Sequence, residues 1–252
     1  MLIKTWQYEK LFGFCGMTVM TTLRKMTSGL LGLLYPRLCL SCGQELPPGE
    51  LKICIHCSSD MHYTDFHLSL ENHFSDRLFG RIPFYATSAL LTFRKGGKTQ
   101  PLLHELKYKG NHQLGVELGR QHGKLLLESP YFKDIDWIIP VPLHIKKKRL
   151  RGYNQSAVYA QGLSEVLGIP YSDHILERKT FTETQTKKGM DERFQNVNSV
   201  FKVAKPSLIQ QKHLLIVDDV MTTGATLESC AITLLAAADV RISFATIAIA
   251  EY

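Results

Sequence analysis

Two groups of residues in this sequence have types and spacings that imply chemistry. The first is Cys39, Cys42, Cys54 and Cys57, which read C-x2-C-x11-C-x2-C. Each C-x2-C pair forms a tight knuckle from which two thiolates converge on one ion, and two knuckles complete a tetrahedral four-sulfur zinc site. Disulfides or merely buried thiols are the alternatives, and a reducing, cytoplasmic setting favours the metal. His56 and His62 stand nearby as substitute ligands, although four thiolates already satisfy the ion. The turn-rich insert 43–50, with Pro47, Pro48 and Gly49, suits the loop of a zinc ribbon. A segment this short buries little apolar surface, so metal binding would supply much of its folding free energy.

The second group is the run Leu214 to Thr226, Leu-Leu-Ile-Val-Asp-Asp-Val-Met-Thr-Thr-Gly-Ala-Thr. An apolar strand would carry Asp218 and Asp219 to the carboxyl edge of a sheet, where α/β folds place their ligands. The turn Thr222, Thr223, Gly224, Ala225, Thr226 would then open a helix and offer backbone N–H groups, hydroxyls and the positive helix end to an anion. Carboxylates beside an anion cradle serve a bare phosphate poorly. They suit a sugar phosphate, whose hydroxyls need acceptors. The alternative is a buried acid pair that caps a helix in an unrelated α/β protein.

A third set is cationic. Lys146, Lys147, Lys148, Arg149 and Arg151 form a run, and Lys107 and Lys109 flank Tyr108. With Tyr153, these residues combine phosphate neutralisation with aromatic stacking, the recipe for a single nucleic-acid strand. The alternative is a solvated cationic face that neutralises a diphosphate. Lys plus Arg exceeds Asp plus Glu by 30 to 23, so the long-range field of the chain attracts anions. The ten histidines are scattered, and no Ser-His-Asp or Cys-His constellation stands out.

These groups need elements to position them. With 252 residues, 44% hydrophobic and 21% charged, the chain has room for one full α/β domain and a small appendage. No run of 18 apolar residues exists, so no membrane span is expected. Residues 1–29 read as a poorly ordered extension: the apolar stretch Leu11 to Met20 lacks a small-residue cleavage site, and Met17, Met20 and Met26 are alternative starts. Residues 30–62 form the ribbon, 63–82 are polar and without period and read as a linker, and 83–252 form the main domain. In that domain Phe84 to Phe93, Ile135 to Val141, Leu214 to Val217 and Val240 to Ala250 read as strands. Leucines at helical spacing predict two helices that part near Gly110 and Asn111. Ser156 to Leu167 and Leu227 to Ala237 complete the helices, the first ending at Gly168. Strands alternating with helices imply a parallel sheet covered on both faces.

The 214–226 run resembles the phosphoribosyl-pyrophosphate (PRPP) signature of type I phosphoribosyltransferases at every position. That resemblance implies a type I phosphoribosyltransferase fold, a parallel sheet flanked by helices, which the small N-terminal zinc ribbon read from the cysteines precedes. It further implies that Asp218 and Asp219 accept hydrogen bonds from the ribose 2′- and 3′-hydroxyls, the contacts on which catalysis would depend, while Thr222, Thr223, Gly224, Ala225 and Thr226 wrap the 5′-phosphate. Type I members hold pyrophosphate on a loop after an earlier strand, which places Val141, Pro142, Leu143 and His144 against the diphosphate. Magnesium would bridge the ligand's own pyrophosphate and ribose oxygens. A loop closes over PRPP in such enzymes, and the polar stretch 180–190 with Lys187, Lys188 and, beyond it, Arg193 fits that role; an ordinary solvated connection is the alternative.

Four further strings stand in order before this motif: 106–111 (LKYKGN), 140–144 (PVPLH), 149–155 (RLRGYNQ) and 184–193 (TQTKKGMDER). Together with the four-cysteine ribbon they resemble the ComF family of bacterial competence-related proteins over about residues 30 to 252. The resemblance implies zinc at the N-terminus, PRPP at the C-terminal domain, and a role in uptake of single-stranded DNA during natural transformation beside a DNA-translocating helicase. The other function class is a transferase that displaces pyrophosphate from PRPP with an unidentified nitrogenous acceptor.

Overall fold

The computed structural model describes residues 36–47, 52–179 and 200–251. In chain order the elements are α1 (Ile55–Ser59), α2 (His73–Leu78), β1 (Thr87–Phe93), α3 (Thr99–Tyr108), α4 (His112–Glu128), β2 (Trp137–Pro140), α5 (Ile145–Arg151), α6 (Gln155–Leu167), β3 (Leu176–Arg178), β4 (Phe201–Val203), β5 (Lys212–Met221), α7 (Ala225–Ala237) and β6 (Val240–Ala250). The chain divides into a small N-terminal unit and a larger main unit. Among the described residues no helix is long and apolar enough to cross a membrane.

The main unit is built on a parallel sheet in the order β1-β6-β5-β2. From His213 to Val217 every residue of β5 is buried, which is the continuous run expected of a strand covered on both faces. One face carries α7, whose Leu227, Cys230, Ala231 and Leu234 join Ile216 and Phe244 in the core. The other carries α4 and α6, whose backbones approach closely. A Cβ on Gly119 would lie 2.3 Å from the Tyr159 carbonyl oxygen, and one on Gly162 would lie 2.0 Å from that of Val116. Only glycine fits either place.

The strands and long helices lie where hydrophobic period puts them. The two helices parted near Gly110 are α3 and α4, with Asn111 capping α4 through a bond from the Leu114 N–H at 3.2 Å. Gly168 ends α6 in the left-handed region at φ 70°. The stretch 63–82, read as a linker, instead holds a 3-10 turn (Phe66–Leu68) and α2, with Phe74 and Leu78 fully buried in the core. Six residues are less than two turns, too few to show a period. Long-range burial and a local cap hold the helix instead. Asn72 accepts from the Phe74 and Ser75 N–H groups at 3.0 Å, and the Ser75 hydroxyl accepts from the Asn72 N–H at 2.8 Å.

Candidate functional site

Sheet register decides which loops meet. Pro140 at the end of β2 pairs with Val217 of β5, and the Val141 N–H continues the ladder to the Val217 carbonyl at 2.9 Å. The chain therefore leaves β2 beside Asp218. From β5 the chain crosses through α7 to β6 on one side, while β2 lies on the other, so a crevice opens between them at the carboxyl edge. It is a cleft of about 490 Å³ lined by Val141, Pro142, Leu143, His144, Asp218, Asp219, Thr222 and Thr226, all of them sequence-predicted. Thr223, Gly224 and Ala225 complete the turn between the last two. The lid candidates Lys187, Lys188 and Arg193 lie outside the described residues, as does the extension 1–29.

The two acids have different surroundings. Asp218 Oδ1 accepts from the Ser156 hydroxyl and from the Asp219 N–H, both at 2.8 Å. Burial, and next the charge of Asp219, push the Asp218 carboxyl up to about 7 against these hydrogen bonds. Asp219 turns its Oδ2 toward the Lys107 ammonium at 3.2 Å. The pair thus presents one carboxyl fixed by the fold and one balanced by a cation.

Gly224 caps α7 with φ 79°, and a Cβ there would also press on Leu78 Cδ2 at 2.8 Å. Helix α2 braces this turn from behind. Arg77 donates to the Thr222 carbonyl at 2.8 Å and to the Ala250 carbonyl, and Arg81 donates to the Thr223 carbonyl at 2.7 Å and pairs with Glu228. The carbonyls of Thr222 and Thr223 are held toward the arginines, the Ala225 N–H donates to the Thr223 hydroxyl at 3.4 Å, and the turn opens onto the N-terminus of α7, the end of a helix that favours an anion. Sequence reasoning missed Arg77 and Arg81 because their partners lie over 140 residues away. Ser156 carried a weak signal, directly following the RLRGYNQ string.

That string is a set of positioning devices. Gly152 closes α5 at φ 80°, Asn154 donates to the Val141 carbonyl at 3.0 Å and accepts from the Ser156 N–H at 3.2 Å, and Gln155 accepts from Arg151 at 2.8 Å. Tyr153 is buried, donates to the Leu106 carbonyl and packs its ring 3.8 Å from that of His112. It is therefore not a platform for a nucleic-acid base. Tyr108 remains exposed, with Arg151 over its ring at 5.8 Å.

The basic residues separate. Lys107, Lys147 and Arg151 line the cleft, while Lys146 and Lys148 line a second cavity of about 520 Å³ with His174 and Lys179; Arg178 borders both. Lys109 and Arg149 are exposed. Helix α5, which bears most of this charge, buries no residue.

In the ribbon, the Gly43 N–H closes the first knuckle on the Cys39 carbonyl at 2.8 Å, with Gly43 at φ 74°. The Cys54 N–H donates to Cys39 Sγ at 3.3 Å, and Cys57 sits on α1. The four sulfurs all lie within 4.8 Å of one another. Burial pushes the Cys39 thiol up, but the N–H groups of Cys54, Cys42 and Ser41 outweigh it and hold the thiol at about 6, where a thiolate ligand is at hand. This donor set fits a tetrahedral metal such as zinc. At the cleft, the carboxylates of Asp218 and Asp219 are oxygen donors of the kind a magnesium ion accepts, and such an ion would supply charge neutralisation there.

A family model described as a phosphoribosyl transferase domain matches residues 154–250. The chain is 34% identical over 141 residues to the DNA utilization protein YhgH of Shigella flexneri, covering 54% of this chain and 60% of that protein. It is 40% identical over 91 residues to competence protein F of Haemophilus influenzae, covering 36% and 40% of the two chains. The chain thus spans about 60% of the length of the YhgH relatives it matches. Among solved structures, the glutamine PRPP amidotransferase of B. subtilis covers 56% of this chain and 30% of its own at 19% identity, with a TM-score of 0.39. The family match and the sheet agree with the type I phosphoribosyltransferase fold, and the named relatives bear out the ComF resemblance.

Proposed function

We propose, from a chain that carries a phosphoribosyl transferase domain and resembles the ComF family, that its cleft binds PRPP in the service of single-stranded DNA uptake. The observation that carries this reading is the acid pair at the end of β5 beside the Thr222 to Thr226 turn at the N-terminus of α7. Asp218 and Asp219 accept the ribose hydroxyls, and the turn holds the 5′-phosphate with N–H groups and hydroxyls. Val141 to His144 face the diphosphate, whose charge Lys147 and Arg151 offset. Magnesium supplies further charge neutralisation when bound with the ligand. Zinc on the four cysteines holds the ribbon together in a reducing cytoplasm. Lys107, Lys109 and the Lys146 to Arg151 run steer the strand, and a DNA-translocating helicase is the partner that the family resemblance implies.

One observation favours turnover as well. Phe93, Leu103, His104 and Tyr108 also line the cleft, apolar and aromatic side chains against which a ring-shaped nitrogenous acceptor would lie while attacking the anomeric carbon. Calorimetry of the zinc-loaded protein with PRPP and magnesium tests the binding. Asp218→Asn with Asp219→Asn is expected to weaken it at least about 100-fold, since a hydrogen bond to a charged group is worth ~1.5–3 kcal/mol. Unchanged affinity in the folded double variant would sink the assignment. A pyrophosphate-release screen over candidate acceptors then separates a transferase from a binding module.

A further inference from the structure

Lys107 differs from the other cations of the cleft. It projects from α3, outside the matched domain, and its side chain and that of Asp219 are only 25% and 15% exposed. Lys107 and Asp219 meet at 3.2 Å, while Arg151 is engaged by Gln155 and Arg178 lies over the Phe201 ring. Ser156 and a backbone N–H serve Asp218 but bring no charge.

The arrangement resolves an electrostatic conflict. A sugar that offers hydroxyls to two carboxylates while bearing phosphates must approach a site of its own sign. Adjacent acids also repel each other, which is part of why burial and Asp219 hold the Asp218 carboxyl at about 7. A divalent ion carried in by the ligand is one remedy. An ammonium already beside the acids is another, and a lysine's compact point charge on a flexible stem can serve Asp219 or a phosphate oxygen without leaving the cleft.

We propose that Lys107 is the resident counter-cation of the acid pair, and that by neutralising Asp219 it lets the cleft take a phosphorylated sugar without a divalent ion. This rests on the PRPP reading. Lys107 acts through Asp219 and is a positioning residue. The role also explains why a lysine in the LKYKG string belongs to the sugar site rather than only to a solvated cationic face.

The test is PRPP calorimetry on the full zinc-loaded chain, in magnesium-free buffer and with magnesium, for wild type, Lys107→Met and Lys107→Arg. Wild type should bind in both buffers. The Met variant should lose at least about tenfold in affinity without magnesium, the equivalent of ~1.4 kcal/mol, and regain most of it when magnesium is added. The Arg variant should follow wild type. A Met variant that binds like wild type without magnesium overturns the proposal, as does a wild type with the same magnesium requirement as the variant. Carbon-13 NMR titration of the ligand-free carboxyls gives an independent reading: Lys107→Met should raise the Asp218 midpoint and Lys107→Arg should not. Wild type that binds no PRPP in either buffer would end the PRPP reading, and the titration alone would then decide the counter-cation role, an unmoved midpoint ending it. Lys107→Gln replaces the Met variant should that fail to fold.

Discussion

His122 is fully buried between β1 and α6 because two hydroxyls serve it: Ser88 meets Nε2 at 2.7 Å, and Tyr159 meets Nδ1. Burial, with a smaller push from His67, lowers its pKa from 6.5 to about 3. Between those values the unfolded chain binds a proton that the folded chain refuses, so stability falls as pH drops through that window, by up to about 1.4 kcal/mol per pH unit. Asp218 has the opposite sign. Its folded pKa lies above its unfolded value, so its contribution is fully present below about pH 4 and is lost as pH rises through about 7. The two tend to cancel in the wild type, and a difference measurement separates them. As pH is lowered from 8 to 4, the thermal midpoint of His122→Gln should rise relative to that of wild type, and parallel curves would mean that His122 is not the acid-sensitive group. None of this was legible in the sequence, where His122 was one of ten scattered histidines. A histidine's state depends on what surrounds it in space.

At the scale of elements, the surroundings of the Thr222 to Thr226 turn show what hydrophobic period can and cannot reveal. Strand β5 and helix α7 announced themselves through continuous and periodic apolar residues, and the two acids in the carboxyl half of β5 with the threonines of the turn into α7 marked the candidate site. Helix α2 did not, because its six residues owe their conformation to the Asn72 cap and to the burial of Phe74 and Leu78. The ribbon is the opposite case: its four cysteines were legible because metal geometry writes itself into spacing. If zinc sits on the four cysteines, Cys57→Ser should release one zinc per chain and raise hydrogen exchange across residues 38–62, while the sheet keeps its protection, since the metal would supply the ribbon's own stability. Zinc content by mass spectrometry and exchange by the same method check both parts. Full zinc retention would remove Cys57 from the site.

At the scale of the whole molecule, the excess of seven basic residues over acidic ones steers any polyanion, but the fold distributes the cations. If a single strand follows α5, log affinity should fall with log salt by about 0.7 per neutralised phosphate. Replacing Lys146, Lys147 and Lys148 with Gln should flatten that slope by about two units. Fluorescence anisotropy at several salt concentrations measures it, and identical slopes would take α5 out of the DNA track. PRPP should compete through Lys147, which faces the cleft, and not through Lys146 or Lys148, which line the neighbouring cavity.

The sequence by itself determined the α/β alternation, the four-sulfur cluster and the acid and threonine signature, because each is written in residues close together along the chain. Only the tertiary structure decided that Arg77 and Arg81 brace the signature turn, that Ser156 fixes one acid while Lys107 balances the other, and that Tyr153 is buried. Those relations join residues 47 to 145 positions apart, across strand register and helix packing that no local pattern encodes.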